Sequence, residues 1–432
     1  MSTIDNKINT YIDDVCGYIK NKKVHKLIRL ELLSHFDEII EDCLESGMSK
    51  DESINQALLQ MGPSEIVGTN LNKSHRTTSD WLLLFITGSL VLFGFFTLLS
   101  LQNSSIILSE STYLPALLMK SLFTFFISIL ISLVFIKIDF RNIKKYSLYI
   151  YSFSIISIIL SYFFSASING IKGWIIIGPL GFNLIDLVIV LLIISLAGIF
   201  DNYDWSNKKI LFKGIILAII PVILLLANSS SAAIIYLIPI IFILFFSGLK
   251  IRYLVISLST LCTLFFGYIF SEAYRINRFF ALINLYSDPT NAYVYNQLLK
   301  IKSSAELIGK SNTVVSLPDT PINFILASII YCFGWIVSII LISLIALFII
   351  RLIFIGIKIK DSYGKLLVYG LCSLFSIQFL LSILLNLGLS PLLNVNMPFI
   401  SYGGSQLLIN ILSISLINNI YKNRNTPYIA SN

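Results

Sequence analysis

Most of this chain must do any acid–base chemistry with carboxylates. All three histidines, His25, His35 and His75, precede residue 80. Downstream, one long polar stretch, 271–322, holds Glu272, Asp288, Glu306 and Asp319 together with Arg275, Arg278, Lys300, Lys302 and Lys310. A positioned carboxylate there could take a proton from a hydroxyl. Arg275 and Arg278 stand three apart, a spacing that puts both on one helix face, where guanidinium forks could hold a phosphate. Simpler roles compete: Asp288 precedes Pro289 and could only start a turn or helix, and the arginines could snorkel to a membrane surface. Asp186 stands apart, at the edge of a very apolar run where a charge is expensive. Lining a substrate groove and capping that helix through its dipole both fit it. Cys16, Cys43, Cys262, Cys332 and Cys372 show no CxxC spacing, which argues against a disulfide framework or a zinc site.

The elements that must position these groups are apolar. Of 432 residues, 56% are hydrophobic and 12% charged, about half the charge of a soluble domain, and mean hydropathy is +0.84. A soluble enzyme, a disordered chain and a secreted disulfide scaffold are excluded. Hydrophobic runs near 81–101, 114–137, 146–165, 184–200, 210–227, 231–249, 252–270, 323–350, 366–388 and 399–420 predict about ten spanning helices, at about 20 residues per crossing. Even connections carry the basic residues: Lys137, Arg141, Lys144 and Lys145, then Lys208, Lys209 and Lys213, then Lys250 and Arg252, then Arg351, Lys358, Lys360 and Lys365. Among the short odd connections only Lys172 is basic. Both termini are therefore expected in the cytoplasm, with 271–322 as a large outer loop. Residues 80–432 carry a net +11 and residues 1–79 a net −3. The basic excess reads as topology, and no nucleic-acid partner is expected.

Residues 1–76 are polar and predict a small cytosolic domain of three or four helices. Gly47 ends one helix, and Ser49-Lys-Asp-Glu52 reads as a capping box opening the next. The pattern from Leu32 to Leu71 resembles the helical permease-prefix (HAAS-like) domain found before bacterial membrane proteins, which implies an interaction module without chemistry.

Near the C-terminus, Met397-Pro-Phe-Ile-Ser-Tyr-Gly-Gly-Ser405 sets a proline before two glycines that permit close backbone approach. Tight helix packing would use the same residues. As a string it resembles the most specific signature of the SEDS family (FtsW, RodA and SpoVE). Gln378, Gly388 and Pro391 precede it at the family's spacings. Gly170-Ile-Lys-Gly-Trp174-Ile, with Phe182-Asn-Leu-Ile-Asp186, resembles the family's Trp-Ile…Gln-Pro-Ser-Glu. Arg275, Arg278, Asp288-Pro289, Tyr293, Gln297 and Leu307-Ile-Gly309-Lys310 resemble its loop motif, and Leu317-Pro318-Asp319 with Phe324-Ile325 its next one.

That resemblance spans about 80–421. It implies an all-α polytopic fold of SEDS type in the bacterial plasma membrane, serving peptidoglycan synthesis in shape, division or sporulation. It implies an inverting glycosyltransferase that polymerises lipid II, the undecaprenyl-pyrophosphate-linked disaccharide peptide, beside a class B penicillin-binding protein. Asp288 maps onto the family's essential loop aspartate. Arg275, Arg278, Tyr293, Gln297, Lys310, Asp186, Trp174, Ser401, Tyr402, Gly403 and Gly404 map onto substrate contacts, although Trp174 alone would read as an interfacial anchor. A Mg or Mn ion on the pyrophosphate would suit the chemistry, but no ligand cluster demands a cofactor. Departures mark a divergent member. Asn183-Leu-Ile-Asp186 replaces Gln-Pro-Ser-Glu, Ile189 replaces the following Lys, Asn228-Ser-Ser-Ser231 lacks the family's acid, and Tyr331-Cys-Phe-Gly334 replaces Glu-Glu-Leu-Gly. A lipid-linked precursor flippase and a non-catalytic regulator are the alternatives.

Overall fold

The computed structural model describes residues 3–74, 78–102, 114–136, 139–168, 171–177, 180–271, 276, 289–311, 313, 315–318, 320–391 and 393–425. The chain separates into two compact units, 1–79 with 420–432, and 80–419.

In the first unit α1 (Thr3–Gly17), α2 (His25–Glu45), α3 (Lys50–Met61) and α4 (Ser64–Ser74) surround a small core of Ile12, Val15, Ile28, Leu32, Phe36 and Ala57. Only one stripe of α2 is buried: Leu30 and Leu44 of the apolar pattern face outward. The capping box forms as its spacing predicts, with Ser49 Oγ accepting from the Glu52 N–H and the Glu52 carboxylate accepting from the Ser49 N–H at 3.1 Å. Tyr11 stacks edge-on against Phe36 and donates to the Gly62 carbonyl at 2.9 Å.

The second unit is the membrane bundle. Its helices are α5 (Trp81–Gln102), α6 (Leu114–Phe135), the short α7 (Phe140–Lys145), α8 (Ser147–Phe164), α9 (Leu184–Phe200), α10 (Lys208–Asn228), α11 (Ser230–Phe246), α12 (Ile251–Phe270), α13 (Pro289–Ser304), α14 (Ile325–Phe333), α15 (Trp335–Lys358), α16 (Ser362–Asn386) and α17 (Gly404–Lys422). Among the described residues seven helices are long and apolar enough to cross a bilayer. Two more, α9 and α11, have 17 residues each, about 26 Å of helix. They are apolar all round because they form the centre, the expected state of a helix with no polar face. At Gly370 of α16, a Cβ would lie 2.8 Å from Ile193 of α9 and 3.0 Å from Ile243 of α11. A missing side chain thus lets three helices converge. The last helix, α17, carries Asn410, Asn418 and Asn419 and falls below the apolarity of the seven.

Two sequence expectations are corrected. The apolar run 323–350 is two helices: Gly334 turns the chain at φ 87° between α14 and α15. The Glu306 and Leu307 carbonyls lie where its Cβ would be, at 2.7 Å, and accept from Trp335 N–H and Ile336 N–H at 3.1 Å each. The run from 399 becomes helical only at Gly404. The all-α class expected from the sequence holds, with one small addition. Between α8 and α9 a three-stranded antiparallel sheet forms from β1 (Ala166–Ile168), β2 (Ile171–Ile177) and β3 (Leu180–Asn183), with Trp174 opposite Asn183. Isoleucines at 175–177 supply the β-branched preference that a helix-period reading passes over.

Candidate functional site

Three parts of the bundle enclose one polar cavity. The first is the sheet-to-helix junction. Asn183 caps α9, its Oδ1 accepting from the Ile185 N–H at 3.0 Å, while its own N–H donates to Ser405 Oγ at 3.2 Å. The cap is therefore supplied by Asn183, and Asp186, one turn further in, lines the cavity half-buried.

The second part is the Pro-and-Gly string. Phe399 stands at φ 65°, a strained setting for an aromatic residue. Its ring holds it there, buried against Phe348 at 5.5 Å and Phe375 at 5.4 Å. Ser401 closes the turn: its N–H donates to the Met397 carbonyl at 3.1 Å and its Oγ accepts from the Met397 N–H at 3.0 Å. Tyr402 N–H donates to the Pro321 carbonyl at 2.8 Å. Gly94 of α5 lies so close that a Cβ would be 2.6 Å from the Ile400 carbonyl oxygen. Local strain and close backbone approach hold Tyr402, Gly403 and Gly404 at the cavity wall.

The third part joins α14 and α16. The Asn386 amide accepts from the Ala327 N–H at 2.9 Å and donates to the Asn323 and Ser382 carbonyls at 3.0 and 2.7 Å. This brings Asn323 beside Gln378.

The cavity encloses about 210 Å³. Asn183, Asn323, Gln378, Asn394, Asn396 and Gln406 give it amides, Tyr402 a phenol, Trp174 an indole and Asp186 a carboxylate; no lysine or arginine is among the described lining residues. Three polar atoms of this lining have no hydrogen-bond partner: Trp174 Nε1, Asn323 Oδ1 and Gln378 Oε1. Burial raises the Tyr402 phenol above its ordinary value, so it stays neutral. One carboxylate among neutral amides does not make a metal centre, and among the described residues no three His, Cys, Asp or Glu gather to hold an ion.

Of the site residues expected from the sequence, Asp186, Trp174, Tyr402, Gly403 and Gly404 meet at this cavity. Trp174 is a wall residue with a buried N–H rather than a free interfacial ring. Ser401 supports the wall from behind. Tyr293 is exposed on α13, donating to the Ser316 carbonyl at 3.0 Å. Gln297 is buried on the same helix with an unpartnered Oε1. Lys310 is exposed in the loop whose Gly309 and Ser311 N–H groups donate to Phe333 and Tyr331 carbonyls. None of these three lines the cavity. Asp288, Arg275 and Arg278 lie outside the described residues. Sequence reasoning missed Asn323, Asn394, Asn396 and Gln406, although amides in or beside apolar runs are a readable signal. The departures pack locally. Ile189 is buried, Tyr331 donates to the Thr313 carbonyl at 2.7 Å, and Asn228 accepts from Ser161 Oγ at 3.1 Å.

Residues 80–426 match the family model of FtsW, RodA and SpoVE, described as cell cycle protein. A relative from Borreliella burgdorferi, named a probable peptidoglycan glycosyltransferase FtsW, is 28% identical over 69% of this chain and 84% of its own length. One of the same name from Hydrogenovibrio crunogenus is 24% identical over 80% of this chain and 92% of its own. The fold resembles a chain of a peptidoglycan synthase complex that coordinates polymerization and crosslinking, at TM-score 0.69 and 21% identity over 81% of this chain and 99% of that one. It also resembles the rod shape determining protein RodA of Thermus thermophilus, at TM-score 0.61 and 20% identity over 80% and 98%.

Proposed function

Because the chain belongs to the FtsW, RodA and SpoVE family of cell cycle proteins, we propose that it is a peptidoglycan glycosyltransferase that polymerises lipid II into glycan strands. The observation that carries this reading is a polar cavity, built on the Ser401-Tyr-Gly-Gly404 string and Asp186, inside a multi-pass bundle. In the reaction the acceptor's 4-hydroxyl oxygen bonds to the anomeric carbon of the donor sugar as the bond to undecaprenyl pyrophosphate breaks, with inversion. Asp288 takes the hydroxyl proton as general base. Arg275 and Arg278 offset the charge on the departing pyrophosphate. The cavity of neutral amides and hydroxyls orients the substrate, and no step is assigned to a metal ion.

Basic residues on alternate connections support a reading with both termini in the cytoplasm and the 271–322 loop outside. The partner is a class B penicillin-binding protein, a reading supported by the likeness to a synthase-complex chain. The helical unit at 1–76 is a cytosolic interaction module with no part in the chemistry.

Purified full-length protein, given lipid II with and without that partner, should yield glycan polymer on a denaturing gel. Absence of polymer in both overturns the assignment. A chain starting at Ser79 should polymerise at a rate within about threefold of the full chain, and complete loss in a well-inserted truncation would make the head part of the working site.

A further inference from the structure

A second cavity lies at the opposite end of the bundle from Asp186, between α5, α6 and α17, and encloses about 190 Å³. Leu84, Val91, Phe125, Ile129, Ile411 and Ile414 give it apolar walls, and no charged side chain is among its described lining residues. Its few polar groups are already satisfied. The Thr87, Ser132 and Ser415 hydroxyls donate to the Leu83, Ile129 and Ser132 carbonyls at 2.8, 2.8 and 3.1 Å. Asn418 Oδ1 accepts from the Asp80 N–H at 2.8 Å. A buried water needs about two to four polar partners, whereas an apolar void of about 150 Å³ stays dry and takes benzene. The chemistry of this wall therefore calls for hydrocarbon.

The gap has a cause in the sequence. At Gly88 of α5 a Cβ would meet no described atom within 4 Å. Six residues on, Gly94 packs against the Ile400 backbone, so α5 uses one glycine for contact and leaves space at the other. Helix α6 is pinned on either side of that space. Thr124 lies 3.0 Å from where a Gly404 Cβ would be, and the Phe135 and Ile136 carbonyls accept from the Asn419 amide at 3.0 Å each. Beside the lining residues stand Phe85, Leu130 and Leu133, all exposed on apolar spanning helices. The gap is thus continuous with the surface that faces the bilayer. Unfilled, its walls would forfeit dispersion contacts on one side.

Depth selects the occupant. The Asp80–Arg351 pair marks the polar end of α5, and Leu84 to Val91 lie about 6–16 Å along the helix from Asp80. Half a bilayer core is about 15 Å, so the cavity lies at the level of the acyl chains of that one leaflet. We propose that it holds one acyl chain of a glycerophospholipid from the leaflet at the Asp80 end, a resident lipid that fills the space between α5, α6 and α17. On the reading above, the polyprenyl tail of the substrate starts in the other leaflet, at the Asp186 end, and is not the occupant.

Photolabelling tests this without any turnover, so its outcome is independent of the polymerisation assay. Full-length protein in vesicles of phosphatidylethanolamine and phosphatidylglycerol receives a trace of phosphatidylglycerol with a diazirine in its acyl chain. A parallel sample receives undecaprenyl phosphate with a diazirine in its tail. After irradiation the marked residues are mapped by mass spectrometry. The phospholipid probe should mark Val91 and Ile414, 3% and 2% exposed, as well as the bilayer-facing Leu133. The undecaprenyl probe should mark neither Val91 nor Ile414 above background. Gly88→Leu grows into the space and should cut the phospholipid marks on Val91 and Ile414 about tenfold, the scale of overpacking a filled site. The mark on Leu133 should not change. Ile411→Phe fills the same space from α17 and should give the same one-sided loss if Gly88→Leu fails to insert. Marking by the undecaprenyl probe as strong as by the phospholipid makes the substrate's tail the occupant and overturns the proposal. So does the absence of marks on Val91 and Ile414, which means a closed void, or their survival in both variants.

Discussion

At one end of the bundle three carboxylates, Asp80, Asp201 and Asp361, face cations. Arg351 grips Asp80 through Nη2 at 2.6 Å and Nε at 3.0 Å, Lys144 pairs with Asp201, and Arg141 approaches Asp361 at 4.0 Å. At the other end of the same helices Asp186 faces amides, a phenol and an indole. The difference separates two uses of polarity in a membrane. Paired charges tie helix ends together: Asp80 caps α5 through the Leu83 N–H at 2.9 Å, binds α15 through Arg351 and reaches α17 through its N–H to Asn418 at 2.8 Å. Polar groups left open cost stability and persist only where something else uses them. The two ends should therefore respond to mutation in opposite currencies, stability at one and activity at the other.

The largest effect is expected from the acid that should do chemistry rather than hold structure. Asp288→Asn should cut lipid II polymerisation about 10²–10⁴-fold, the worth of a positioned general base. The thermal unfolding temperature should stay within error of the wild type. If stability fell in step with activity, Asp288 would belong with the paired acids, and Asp186, Glu306 and Asp319 would become the candidates for the base.

At the paired end the sign reverses. Asp80→Ala strands Arg351 and removes the α5 cap. The pair is wholly buried on the Asp80 side and 25% exposed at Arg351, so the expected cost is about 2–4 kcal/mol, slightly under that of a fully buried pair. Arg351→Leu in the same background should restore part of it, because the stranded charge goes too. Thermal unfolding of the four proteins of this cycle measures the coupling. Strict additivity of the two single changes would show that the pair is not what ties these helices.

Much of the scaffold was legible in the sequence because lipid imposes a single rule, backbone groups satisfied inside apolar helices. The Ser49–Glu52 capping box was legible for a similar reason, a local pattern with a local consequence. The Gly334 break was not: without the Glu306 and Leu307 carbonyls, the apolar run 323–350 reads as one span. Trp174 reads as an interfacial anchor until β2 pairs with β3 and turns it to a wall. Asp186 admits a cap and a groove role alike until Asn183 takes the cap. The lining amides Asn323, Asn396 and Gln406 come from three places in the chain, and only the tertiary fold reveals that they share a cavity.

The smallest expected effect tests where the open polar end stops. Tyr293 is expected from the sequence resemblance to meet substrate, yet its hydroxyl donates to the Ser316 carbonyl at 3.0 Å and the residue is 46% exposed. That bond competes with water, so its loss should cost less than about 0.5 kcal/mol, the low end for hydrogen bonds. Tyr293→Phe keeps the ring and removes only the donor. It should leave the unfolding temperature within about a degree and lower polymerisation less than about threefold. The measurement is the initial rate against lipid II concentration, so that KM and kcat are read separately. A rise in KM of tenfold or more, with stability unchanged, would mean that the phenol leaves Ser316 for the substrate. The open polar surface would then extend beyond the cavity, along α13, towards the loop that carries Asp288.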